Sequence, residues 1–201
     1  MALEQLLRQR PDIWRGTSVS PAVPPGIPTG FSGLDGELPG GGWPEGAVSD
    51  ILCDGPAGFS LVMPALARLS RMGRWLLLVA PPHVPYAPAL AGRGLDLKRL
   101  LLVREREEAA TLWAAEQGLR SGACGAVLTW SETAGGTAFR RLQLAAEAGG
   151  SVGFVFRGEA AAEQASPAPL RVRVRARSDG VRVRVLKRRG GVMAGELVIG
   201  L

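Results

Sequence analysis

Short apolar runs spaced by helix-length segments constrain this chain more than any other feature. Val48–Cys53, Trp75–Ala80, Leu100–Val103, Ala126–Trp130 and Val152–Phe156 each read as a buried strand. Between them, Leu61–Met72, Glu107–Arg120 and Thr137–Ala148 carry apolar residues at helical spacing, and Gly122 and Gly149-Gly150 end the last two. Strands separated by helices of this length predict a mostly parallel sheet with right-handed crossovers, flanked by helices. The last forty or so residues change character. Leu170–Arg177 and Val181–Leu186 alternate Arg with apolar residues around Ser178-Asp179-Gly180, which predicts an antiparallel hairpin, and Val192–Leu201 supplies a final strand.

The chain of 201 residues suits one such α/β core, here residues 27–201. Residues 1–26 stand apart. Leu3, Leu6 and Leu7 give residues 2–10 a helical stripe, and a Pro-rich linker follows. That first stretch lacks the uninterrupted apolar region of a signal peptide, and no run of about 18 apolar residues follows. The two cysteines, Cys53 and Cys124, sit in apolar runs without CxxC spacing, and His83 is the only histidine. The expectation is a cytoplasmic protein with no zinc site and no membrane segment.

Residues 27–62 resemble the opening of a RecA-type nucleotide-binding core. Ile27-Pro28-Thr29-Gly30-Phe31-Ser32-Gly33-Leu34-Asp35 leads into Leu38-Pro39-Gly40-Gly41-Gly42-Trp43-Pro44, then an apolar strand and the loop Asp54-Gly55-Pro56-Ala57-Gly58-Phe59-Ser60. A working phosphate loop ends in Gly-Lys-Ser/Thr, where Lys holds the β/γ-phosphates and the hydroxyl holds Mg²⁺. Counted from Gly55-Pro56, those positions fall on Ser60, Leu61 and Val62. The resemblance places the water-activating Glu position on Pro82 and the Walker B Asp position on Trp130. The fold class expected is therefore an α/β, RecA-like P-loop-type core with a degenerate nucleotide site. Phosphoryl transfer needs charge stabilisation, a metal and an oriented nucleophile, so the chain is expected not to be an ATPase and to need no cofactor. Gly55, Pro56, Gly58 and Ser60 either retain backbone N–H groups for a phosphate or simply form a tight strand-to-helix turn.

The hairpin carries a ladder of cations. With Asp179-Gly180 as a two-residue turn, Arg177 faces Arg182, Arg175 faces Arg184 and Arg171 faces Arg188. Leu186 then stands opposite Arg173, and Val172, Val174, Ala176, Val183 and Val185 line the inward face. Like charges directly opposite repel. Arg171, Arg173, Arg175, Arg177, Arg182, Arg184, Lys187, Arg188 and Arg189 are thus either a solvated face neutralised by nearby Glu or a contact for DNA phosphates or an acidic partner. Only weak, salt-sensitive DNA contact is expected, because the loops after Trp130 and Phe156 are short and the second lacks an aromatic for base stacking. Ile13-Trp14-Arg15, ahead of the core, has the composition of an interface anchor and either docks on a partner or folds back on its own core.

Taken together with Val79-Ala80-Pro81-Pro82-His83-Val84-Pro85-Tyr86, with Leu112–Cys124 and with Arg140–Glu147, these segments are similar to the ImuA family of bacterial SOS mutagenesis. The resemblance implies a non-enzymatic adaptor of translesion synthesis. Its implied partners are an ImuB-type inactive Y-family polymerase homologue, RecA and an error-prone replicative-type polymerase. The alternatives are an SOS cell-division inhibitor of the SulA type, whose core is similarly degenerate, and a nucleotide-binding RecA-like regulator.

Overall fold

The structure, a computed structural model, describes residues 24–189 and 195–200. The helix expected at 2–10 and the anchor Ile13-Trp14-Arg15 lie outside the described residues. The ordered elements begin with α1 (Ser32–Glu37), β1 (Ala47–Leu52), α2 (Ala57–Arg71), β2 (Trp75–Val79) and α3 (Ala87–Gly92). They continue with β3 (Leu100–Val103), α4 (Glu108–Arg120), β4 (Cys124–Trp130), α5 (Gly136–Gly149) and β5 (Val152–Arg157). The chain closes with β6 (Leu170–Arg177), β7 (Gly180–Lys187) and β8 (Leu197–Ile199), and a short 3-10 turn spans Glu159–Glu163.

Among the described residues, eight strands form one sheet in the order β3-β2-β4-β5-β1-β6-β7-β8. The pairs from β3 through β6 are parallel, while β6–β7 and β7–β8 are antiparallel. The central parallel strands β1, β2, β4 and β5 are mostly apolar and buried, because helices cover both faces of the sheet there. On one face, Leu61, Leu66 and Leu69 of α2 pack with Ile51, Leu76, Leu128 and Phe154. On the other, Ala115 and Leu119 of α4 and Phe139, Leu142 and Ala145 of α5 pack with Val48, Leu77, Val127 and Val155. Gly118 and Gly149 are packing glycines. A Cβ on Gly118 would meet Leu77 Cδ2 at 2.3 Å, and one on Gly149 would meet the Leu119 carbonyl at 2.0 Å, so α4 needs both to seat against β2 and α5.

The segment before β1 is tied down by Trp43, which is fully buried and meets Phe154 edge-on with ring centroids 5.2 Å apart. Reciprocal backbone bonds link Ile27 and Trp43 at 2.8 and 2.7 Å.

Two expectations are corrected by this geometry. The RecA-like P-loop-type core does not stand, because the connection from β1 to α2 is not a phosphate loop. It is a four-residue turn, with Pro56 already helical and capping α2, and the helix starts at Ala57. Leu61 and Val62 lie inside the helix and are fully buried in the core. Gly58 is there for packing, since a Cβ on it would sit 2.5 Å from Cys53 Sγ and 2.9 Å from Ile51 Cγ2. The mostly parallel sheet flanked by helices, with antiparallel C-terminal strands, is what the chain does form.

The hairpin register also differs. The turn is Ser178-Asp179, so Arg175 faces Arg182, Arg173 faces Arg184, Arg177 faces Gly180 and Arg171 faces Lys187 across an irregularity beside Val172. The shift is an even number of residues, so the apolar set keeps its face. Val172, Val174, Val181, Val183 and Val185 are buried, whereas Ala176, near the tip, is exposed.

Candidate functional site

The carboxyl ends of β1, β2, β4 and β5 enclose a cleft of about 910 Å³. Ligands of open α/β sheets bind at such strand ends, outside the point where the strand order reverses. Sequence order explains the place: β1 and β2 lie on opposite sides of β4 and β5, so the turns leaving them diverge.

Apolar and aromatic groups build its walls. Trp130 ends β4 beside Phe156 of β5, their rings stacked at 4.8 Å and 14°, and Phe59 of α2 meets Trp130 at 5.9 Å. Met63, Leu78 and Leu90 complete the floor. The outer wall is Pro81-Pro82-His83-Val84-Pro85-Tyr86, in which Val84 and Tyr86 are 65% and 72% exposed. Ala80 starts this segment in the left-handed region at φ 50°, a conformation that alanine adopts only at a cost. The Pro82 and Trp130 positions, where the sequence comparison located lost catalytic groups, thus face this opening.

Gly55 and Pro56 line the same cleft, and Gly55 has φ +76°, a backbone that favours glycine. Ser60 lies on the first turn of α2, where its hydroxyl accepts from Arg93 Nη1 at 3.3 Å. A phosphate here would meet the Glu108 and Glu132 carboxylates that also line the cleft. Burial pushes the Cys53 thiol above its ordinary value, and the Asp54 and Glu132 carboxylates add to the rise. Burial likewise raises Cys124. Because the thiolate is the nucleophile, both cysteines are expected to alkylate much more slowly in the folded chain than in urea at about pH 8, read by mass spectrometry of iodoacetamide-treated protein. Equal rates would mean that the two sites are open.

The ladder residues fall into three groups. Arg171 is turned inward: its Nε donates to Asp50 Oδ2 at 2.9 Å and its Nη2 to the Ala161 carbonyl at 2.9 Å. Asp50, fully buried in β1, also holds Arg157, through bonds of 3.0 and 2.6 Å. Arg157 is 3% exposed and lies over the Phe139 ring at 5.0 Å. This buried triad was not read from the sequence. Its available signal was Asp50 itself, an acid in the middle of an apolar run, which demands a cationic partner when buried.

A second group carries carboxylates or carbonyls. Glu159 accepts from Arg175 Nε at 2.6 Å and lies 3.6 Å from Arg173. Arg177 pairs with Asp179 at 2.8 Å, Arg182 with Glu196 at 3.6 Å and Arg188 with Glu37 at 3.4 Å, and Lys187 donates to the Ser166 carbonyl at 2.9 Å. Arg184 and Arg189 are exposed and, among the described residues, have no carboxylate within 4.0 Å. The outward Arg face lies on the α5 side of the sheet. The structure therefore does not gather the ladder and the cleft-lining loop into one site.

No helix among the described residues is long and apolar enough to cross a membrane.

The class these features define is an α/β protein with a mixed sheet and an apolar, carboxylate-edged cleft at its strand ends. The family model of the cell division inhibitor SulA matches residues 46–153, more than half of the chain, and the chain belongs to that family, with ImuA proteins among its relatives. This match replaces the RecA-like core expected from the sequence. Protein ImuA of Caulobacter vibrioides is 36% identical over 140 residues, covering 65% of this chain and 57% of ImuA. Cell division inhibitor SulA of Photorhabdus laumondii is 32% identical over 111 residues, covering 55% of this chain and 63% of that protein. The chain thus spans less than two thirds of the length of both relatives. The crystal structure of SulA from Pseudomonas aeruginosa is 31% identical, with 55% of this chain and 97% of that chain covered at a TM-score of 0.48.

Proposed function

We propose that this chain is a non-enzymatic accessory protein of the SOS response, an adaptor that holds partner proteins during error-prone synthesis past DNA lesions. Its partners on this reading are an inactive Y-family polymerase homologue of the ImuB kind, RecA and an error-prone replicative-type polymerase. The observation that supports it best is the cleft. Where a nucleotide hydrolase would offer a lysine, a metal-binding acid and a base, this chain offers Ser60, Trp130 and Pro82. Such a surface suits a protein segment better than a phosphate. The kinship with ImuA supplies the DNA-damage context.

The test is genetic and biochemical. A strain lacking the gene is expected to lose most of its damage-induced mutations while dividing normally, and the purified chain is expected to release no phosphate from ATP above the buffer blank. Turnover of ATP with DNA or partners present would contradict the non-enzymatic part.

A second reading has its own support. The family model is that of a cell division inhibitor. On that reading, overproduction blocks septation and yields filaments, and deletion leaves mutagenesis unchanged. Measuring cell length and mutation frequency in the same strains separates the two.

DNA contact through the hairpin is a minor part of the proposal. Most of the ladder is already paired, so binding to a DNA duplex is expected to be weak and to fall away between about 50 and 200 mM salt. Anisotropy with a labelled duplex, repeated with Arg184→Glu, checks it.

A further inference from the structure

The walls and the mouth of the cleft differ in kind. The walls are aromatic, with Trp130 and Phe156 stacked at 4.8 Å and Tyr86 standing out at the lip. The mouth collects carboxylates. Glu108 and Glu132 line it, and Asp54 adjoins Cys53. Glu132 Oε2 accepts only the Gly158 amide, at 3.2 Å, and Asp54 Oδ1 the Glu159 amide, at 3.0 Å. Among the described residues none of these three acids has a Lys or Arg within 4.0 Å. Two cations line the cleft as well: Arg157, which Asp50 holds, and Arg93, which donates to the Ser60 hydroxyl.

On a chain of formal net charge +6, an acidic mouth is the exception. The hairpin's Arg173 and Arg175 are held by Glu159 beside Asp54, and the Glu108 and Glu132 carboxylates of the mouth attract a cationic segment. The aromatic walls suit a ring, since stacked and edge-on aromatic contacts add to the area buried. An aromatic residue beside a cation is also the composition that dominates interface energetics.

We propose that this cleft docks a short segment of a partner protein bearing a bulky aromatic residue next to a lysine or arginine. The ring sits against Trp130 and Tyr86, and the cation faces Glu132 and Glu108. The inference rests on the adaptor reading above and names the chemistry that the partner must carry.

A fluorescein-labelled peptide copying residues 9–19 is a suitable probe, because Ile13-Trp14-Arg15 has this composition. Anisotropy with the full chain is expected to give saturable binding. Replacing the probe's Trp with Ala, or its Arg next to Trp with Glu, is expected to weaken binding at least tenfold. Glu132→Lys in the chain, at an exposed position that leaves the core intact, is expected to do the same, and Tyr86→Ala to weaken it several-fold. Arg184→Glu, on the far face, should change nothing. Several results would overturn the proposal: no binding, binding indifferent to the Trp or to Glu132→Lys, or displacement of the probe by ATP or duplex DNA. Binding that emerges only in a Trp14→Ala chain would overturn it in favour of the chain's own segment as the occupant. The assay needs neither host nor partner, so its failure leaves the adaptor reading to be judged by mutagenesis and partner capture.

Discussion

Replacing Asp50 with alanine is expected to destabilise the fold by about 3–5 kcal/mol, the cost typical of breaking a buried ion pair from one side. Asp50 is fully buried, and Arg157 and Arg171 are 3% and 8% exposed. Removing the acid strands two guanidinium groups in the sheet. Arg157 keeps only the Ala134 carbonyl and Gln164 as acceptors, at 3.4 and 3.2 Å, and Arg171 keeps the Ala161 carbonyl. The triad also joins β1, β5 and β6, so its loss loosens the junction between the parallel core and the hairpin. Urea unfolding followed by circular dichroism measures the change. A loss below about 1 kcal/mol would mean that the arginines find water or new acceptors. Replacing all three residues by apolar ones of similar volume is expected to be far milder than Asp50→Ala alone, because no uncompensated charge remains.

Trp43→Ala is the other large effect, about 3–5 kcal/mol as for other buried Trp truncations. The indole is completely buried, packs edge-on against Phe154 in the middle of the sheet, and closes the segment before β1 through the Ile27–Trp43 bridge. The cavity left is bounded by strands that cannot collapse into it. One feature works the other way: Trp43 Nε1 is buried without a hydrogen-bond partner among the described residues, so the substitution also removes an unsatisfied donor. The loss is therefore expected in the lower half of that range, near 3 kcal/mol, or a fall in Tm of about 6–12 °C for a chain of this size. An unchanged Tm would mean that the segment before β1 contributes little to the fold.

Much of the fold was legible because its signals are local. Leu100–Val103 and Leu170–Arg177 are strands as read, and the other parallel strands and three main helices differ by a few residues at their ends. Turn chemistry at Asp179-Gly180 located the hairpin but not its register, because Gly180, at φ +139°, serves as the first residue of β7 and not as the second of the turn. The β1–α2 connection was harder. Glycine spacing alone does not distinguish a loop that wraps a phosphate from a turn whose Gly58 makes room for Cys53, since that depends on contacts from Ile51 and Phe156. The ladder was visible as a pattern, but charge alternation does not reveal which rung is buried. Arg171 turns inward because Asp50 lies beside it on β1, a pairing set by sheet order. The cleft is assembled from four strand ends distant in sequence, and single motifs do not reveal it.

The central claim is that this chain works by holding partners at that cleft and not by turning over a nucleotide. Tagged chain and its Glu132→Lys variant, each recovered from the native host after DNA damage and compared by quantitative mass spectrometry, test it most directly. The adaptor account expects the inactive polymerase homologue, with or without RecA, to be enriched with the unmodified chain and depleted with the variant. Recovery of a division protein in its place, or equal recovery of the polymerase homologue by both chains, would contradict it.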